Sequence, residues 1–90
     1  MSLVGAVVTL MAPIGEYVGR LDRIEDGNVY LINPRLIVKG PEGEIGFGRG
    51  VCMSAEEQPK EVMFTESIFV AKTNDDFEKS WIEATSGIIV

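Results

Sequence analysis

Apolar and polar residues alternate along this chain in short runs cut by glycine and proline, a pattern of strands rather than long helices. Leu3 to Met11, rich in Val and Thr and without helix caps, predicts a first strand. Ala12-Pro13-Ile14-Gly15 predicts a turn, with Pro13 suited to its second position. In Glu16 to Glu25, Val18, Leu21 and Ile24 recur at a spacing of three, which a helix could use. Gly19 in the middle and turn signals at both ends favour a bent strand instead. Asp26-Gly27 is a strong two-residue hairpin signal, and Asn28 to Ile32 returns as a strand. Pro34 has no amide donor and must sit at an edge or a kink before the strand resumes over Leu36 to Lys39.

Gly40-Pro41-Glu42-Gly43 predicts another turn, with Glu44 to Met53 returning against the preceding strand as a hairpin. Ser54 to Lys60 reads as a polar surface loop. Glu61 to Thr65 and Ser67 to Lys72 then predict two short strands separated by little more than Glu66. The pattern changes at Thr73-Asn74-Asp75-Asp76. Thr73 or Asn74 can cap a helix, and the two Asp residues favour its first turn. Phe77, Trp81 and Ala84 share one face of that helix, which Ser86-Gly87 ends. Such a face is the stripe that closes over one end of the domain's own core, or a surface for a partner. The apolar Ile88-Ile89-Val90 either frays or docks on the barrel or a neighbour. The expectation is one mainly β domain, a small, strongly curved barrel over residues 1–73, with the helix and tail of residues 74–90 packed on it.

Composition narrows the function classes. Eight basic against fourteen acidic residues give a formal net charge of −6. Nucleic-acid affinity comes largely from Lys and Arg neutralising phosphates, so this balance lowers that expectation, and anionic membrane surfaces are disfavoured too. The apolar N-terminus lacks the basic region of a signal peptide, and a first strand explains it better. No apolar run reaches the roughly 18 residues that a membrane helix needs. The expectation is a soluble, cytoplasmic protein. Cys52 is the only cysteine, which excludes an intrachain disulfide, and it reads as a small apolar residue in a strand.

Catalytic chemistry has little to work with. The chain has no His, and Cys52 has no base to activate it. Glu56-Glu57 and Asp75-Asp76 fall where solvated or capping carboxylates are normal. Gly46-Phe47-Gly48-Arg49-Gly50 is followed by more apparent strand, not by the helix that a phosphate loop requires. The expectation is a non-enzyme with no metal, no cofactor and no small-molecule substrate.

Gly19-Arg20-Leu21, Glu25 and Asn28-Val29-Tyr30-Leu31 together resemble the first motif of the Sm-like (LSm, Hfq-like) family. That motif runs Gly-x-hydrophobic, an Asp, then Asn-x-x-hydrophobic; here Glu25 stands at the Asp. The match covers about Val7 to Leu31 well and Glu61 to Ala71 loosely. The whole string also looks like short Sm-like proteins of tailed marine phages. The departures are specific. The Glu25-to-Asn28 loop and the Gly15-to-Gly19 spacing are each one residue short. The family's Arg-Gly pair between the last two strands, which helps hold a nucleotide, is replaced by Thr65-Glu66. Family members usually begin with a helix, whereas this chain places its helix last.

The resemblance implies a strongly bent five-stranded Sm-like barrel that forms a cyclic homo-oligomer. The fourth strand of one copy would join the fifth of the next, which places Val62, Phe64, Ile68 and Val70 at the interface. It also implies that Glu25 and Asn28 face a central pore and contact single-stranded RNA, with Tyr30 stacking on a base. Turn chemistry alone favours the plain reading of Asp26-Gly27-Asn28 as a hairpin turn, and Tyr30 reads more simply as a half-buried strand residue with its hydroxyl in water. Two functions follow, with the family's habit favouring the first. One is a non-enzymatic RNA-binding ring. The other is a ring that has lost its nucleotide pocket and serves as an interaction or assembly module, as Glu66 and the acidic balance suggest.

Overall fold

The computed structural model describes residues 2–86. Six strands form one antiparallel sheet: β1 (Val7–Ala12), β2 (Gly15–Glu25), β3 (Asn28–Lys39), β4 (Ile45–Phe47), β5 (Glu61–Phe64) and β6 (Phe69–Lys72), followed by helix α1 (Asp75–Thr85). The order is β4-β3-β2-β1-β6, with β5 also on β3, and the sheet does not close on itself. Residues 87–90, including the apolar tail and the Gly87 end signal, lie outside the described residues.

β2 and β3 curl because their registers slip. Arg20 pairs with Ile32 and Val18 with Arg35, so Asn33 and Pro34 together oppose Gly19. This is a β-bulge, and it is where Pro34 finds its kink. Asn33 takes φ of 50°, and a Cβ on Gly19 would lie 3.1 Å from the Pro34 Cα and 3.2 Å from the Ile32 carbonyl oxygen. Only glycine lets the two backbones come that close. The bulge leaves the Asn33 backbone unpaired in the ladder, yet both groups are satisfied. Its amide donates to the Lys60 carbonyl at 2.7 Å, and its carbonyl accepts from the Trp81 indole at 2.9 Å.

The curl creates two apolar faces. The inner one holds Val8, Leu10, Tyr17, Leu21, Val29 and Leu31, with Phe64 and Val70 packed against them. The outer one holds Val7, Val18 and Trp81, with Ile37 and Phe47 alongside. Helix α1 therefore lies on the outer face of the sheet, through Trp81, rather than over one end of the inner core. Trp81 is 3% exposed, Phe77 meets Phe47 edge-on at 6.3 Å, and Ala84 faces out. Arg35, opposite Val18, is buried and donates to the Pro34 carbonyl at 3.0 Å; burial lowers its pKa from the ordinary value. The Asn74 side chain caps α1 by accepting from the Phe77 amide at 2.9 Å, with Asp75, Asp76 and Glu78 in the first turn.

Several expectations shift. β1 begins at Val7 rather than Leu3, because Gly5 turns at φ of 88° and its amide donates to the Leu21 carbonyl. The strand expected over Glu44 to Met53 keeps only Ile45–Phe47; Gly48 and Gly50 still bond to Leu36, at 2.7 and 3.3 Å, and beyond Gly50 the chain is a loop that runs to Lys60. Cys52 is consequently an exposed loop residue, not a strand residue. The sheet has six strands where the resemblance implied five, the short β4 being the addition. β5 and β6 do not form a hairpin. One pairs with β3 and the other with β1, so residues 65–68 cross from one margin of the sheet to the other.

Replacing Gly19 by Ala will destabilise the domain by about 1–3 kcal/mol, the usual cost of overpacking against a fixed backbone. Gly46→Ala, where a Cβ meets nothing within 4 Å, will stay within about 0.5 kcal/mol of the parent. Urea unfolding followed by fluorescence of the single Trp81 measures both.

Candidate functional site

The Asp26-Gly27 turn has φ of 52° and 80°, the doubly positive geometry of a tight hairpin. It sets Glu25 opposite Asn28 and Arg23 opposite Tyr30. Val29 pairs with Phe64, the last residue of β5, so one step further along the ladder Asn28 stands beside Thr65. The β2–β3 turn and the β5–β6 connection are thereby brought together. Glu25 is exposed there, while Asn28 and Tyr30 are half-buried.

One face of Tyr30 is already occupied. The Arg23 guanidinium carbon lies 3.7 Å from the ring centroid, a close cation–π contact. Arg23 also pairs with Asp22 and reaches Glu61 at 3.5 Å. Its hydrogen bond to Asp22 above all, with the charge of Glu61 adding, raises its pKa from the ordinary value. Arg23 was not among the residues singled out from sequence. The signal was available, because an Asp-Gly turn pairing Glu25 with Asn28 also pairs Arg23 with Tyr30 two steps back. Glu25, Asp26 and Glu66 stand on or beside these loops, Asp22 and Glu61 meet Arg23, and among the described residues Arg23 is the one cation ion-paired to any of the five.

The four residues expected at an interface divide into two kinds. Val62, Phe64 and Val70 are half-buried, Phe64 and Val70 against the domain's own inner core. The Phe64 ring lies 4.9 Å from that of Tyr17. Ile68 is exposed, as are Met63 and Phe69. Among the described residues β5 and β6 each pair with one strand only, so each keeps a free edge of backbone groups.

Between β5 and the β1–β2 turn lies an apolar groove of about 340 Å³, built from Ala12 to Ile14, Tyr17, Val51-Cys52 and Val62 to Glu66. At its floor the Tyr17 hydroxyl donates to the Val51 carbonyl at 3.4 Å. Burial first, and the neighbouring Cys52 second, raise the Tyr17 pKa from the ordinary tyrosine value. Among the described residues no group of three or more His, Cys, Asp or Glu side chains could hold a metal ion, and no helix is long and apolar enough to cross a membrane.

Because its folded pKa lies above its unfolded one, Tyr17 supports the fold fully below about pH 10. That contribution will be lost as pH rises through the folded value. Denaturant midpoints compared from pH 8 to 11 will fall more steeply for the parent than for Tyr17→Phe, and identical profiles would remove Tyr17 as the cause.

No protein-family model matches the chain, and no curated protein matches it.

Proposed function

We propose that this chain is a Sm-like assembly module without catalytic activity, whose copies join β5 of one to β6 of the next and close into a ring. One observation carries the reading: the two strands that the resemblance pairs between copies are the two that end up on opposite margins of the sheet, each with one side unpaired. Local sequence gives no reason for that. Two adjacent four-residue strands would ordinarily make a hairpin, whereas here the chain leaves β3 and crosses to β1. Free edges invite strand addition, and joining unlike edges gives a head-to-tail contact that closes when the rotation allows.

Electrostatics favour an assembly role over nucleotide binding. Single-stranded RNA brings one negative charge per nucleotide, and affinity rises with the number of cations that meet them. The paired loops offer Arg23, already engaged, against Asp22, Glu25, Asp26, Glu61 and Glu66. A second reading keeps RNA, and the stacked Arg23–Tyr30 pair beside Asn28 favours it. In that reading bases stack at the pore on Tyr30 and its guanidinium while Glu25 and Asn28 hold base edges.

Light scattering after gel filtration will give a single mass several times the 9.8 kDa of one chain, and a clean monomer at micromolar concentration would sink the assembly reading. Anisotropy with labelled oligo-U and oligo-A across a salt series decides the second point. The expected result is no binding at low salt; tight binding that weakens steeply with salt would restore the RNA reading.

A further inference from the structure

β4 is the strand that the resemblance does not account for, and it supplies a further edge. Among the described residues Ile45–Phe47 pairs with β3 alone. The ladder decides which groups that edge presents. The Gly48 amide donates to the Leu36 carbonyl and the Gly40 amide to the Glu44 carbonyl, both at 2.7 Å, so Gly48 and Glu44 bond toward the β3 side. Between them the direction alternates along an antiparallel pair. Gly46 therefore also bonds toward β3, while the amides and carbonyls of Ile45 and Phe47 point away from it. The side chains follow suit. Ile37 pairs with Phe47 and Lys39 with Ile45, so Ile45 and Phe47 share the outer face. Ile45 is 56% exposed, and Phe47 rests against Phe77. Glu42 and Glu44 precede the strand. Arg49 follows it, exposed and only loosely paired with Glu57 at 3.9 Å.

We propose that β4 of one copy pairs antiparallel with β4 of a second about a two-fold axis at Gly46, a contact separate from the head-to-tail joining of β5 and β6. In this register Ile45 of each copy faces Phe47 of the other, and these are the residues whose backbone groups point outward. Each such pair exchanges both of its hydrogen bonds, and no bond to β3 is given up. The Ile45 side chain comes to lie beside the other copy's Phe47, as an apolar cross-strand pair. Arg49 falls opposite Gly43 of the other copy, between Glu42 and Glu44. A slip of one residue would set Gly46, whose groups β3 already uses, against outward groups of the other strand. The segment from Glu42 to Arg49, acidic before the strand and basic after it, is thus complementary to itself when reversed. That selects a second copy over a foreign strand. An isologous contact of this kind closes at two copies and leaves neither edge bare.

The axis makes the proposal testable. Gly46 faces its own copy in a non-hydrogen-bonded pair, where Cα atoms lie about 4.5 Å apart, within the roughly 4.4–6.8 Å that a disulfide spans. A Cβ at Gly46 meets nothing within 4 Å of its own chain. With the exposed Cys52 replaced by Ser, Gly46→Cys will give a reducible covalent dimer under mild oxidation, with no higher ladder in denaturing gels. Ile82→Cys in the same background, 43% exposed on α1, will stay a single chain. Ile45→Pro removes an outward amide that β3 does not use. It will stay folded by circular dichroism and halve the mass found by light scattering at micromolar concentration. No dimer from Gly46→Cys, an equal one from Ile82→Cys, or an unchanged mass in Ile45→Pro would each overturn the inference. The ring reading is tested apart from it. A dimeric parent that Ile45→Pro makes monomeric keeps this contact and removes the ring, and a ring whose mass Ile45→Pro leaves unchanged does the reverse.

Discussion

The fold turns on the contact between Gly19 and the Asn33-Pro34 bulge. Two strands of 11 and 12 residues are too long to stay flat around so small a core. The bulge bends β3 while the missing side chain of Gly19 lets β2 follow it, with a Cβ there only 3.1 Å from the Pro34 Cα. The same bulge fixes the helix. Its unpaired carbonyl takes the Trp81 indole hydrogen bond, and the outer face that it bends receives the Trp81 ring. A half-buried carbonyl left without that donor loses a bond worth about 1 kcal/mol, so curl and helix support each other.

A sheet curled this far covers its core on one side and leaves a seam on the other. β5 stands on one lip and β6 on the other, and residues 65–68 cross between them at one end. The unpaired edges and the apolar groove are consequences of one shape. The acidic loops fit the same account, since little beside the turn would attract a polyanion.

Much of this was legible locally. The Asp26-Gly27 turn and the bend at Gly19 lie where the sequence pattern put them, and the structure selects Asn74 over Thr73 as the cap and a kink over an edge at Pro34; each depends on backbone chemistry within a few residues. Glu25 and Asn28 flank the turn for the same reason. What failed to show was long-range. Nothing in Glu61 to Lys72 says that its two strands choose different partners, because neighbouring short strands carry the same alternation whether they pair together or apart. Cys52 looked like a strand residue because Val51-Cys52-Met53 is apolar, although the chain leaves the sheet just beyond Gly50, whose carbonyl still accepts from the Leu36 amide. The groove draws on segments near 12–17, 51–52 and 62–66, which no window along the chain can join.

Residue-resolved hydrogen exchange, followed as the protein is diluted through its dissociation range, tests the central claim most directly, because a free strand edge exchanges quickly and a paired one slowly. The account predicts that protection in Glu61–Phe64 and Phe69–Lys72 is lost together on dilution, while β1, β2 and β3 keep theirs. Protection in those two strands that is independent of concentration, or a concentration-dependent change confined to α1, would contradict it.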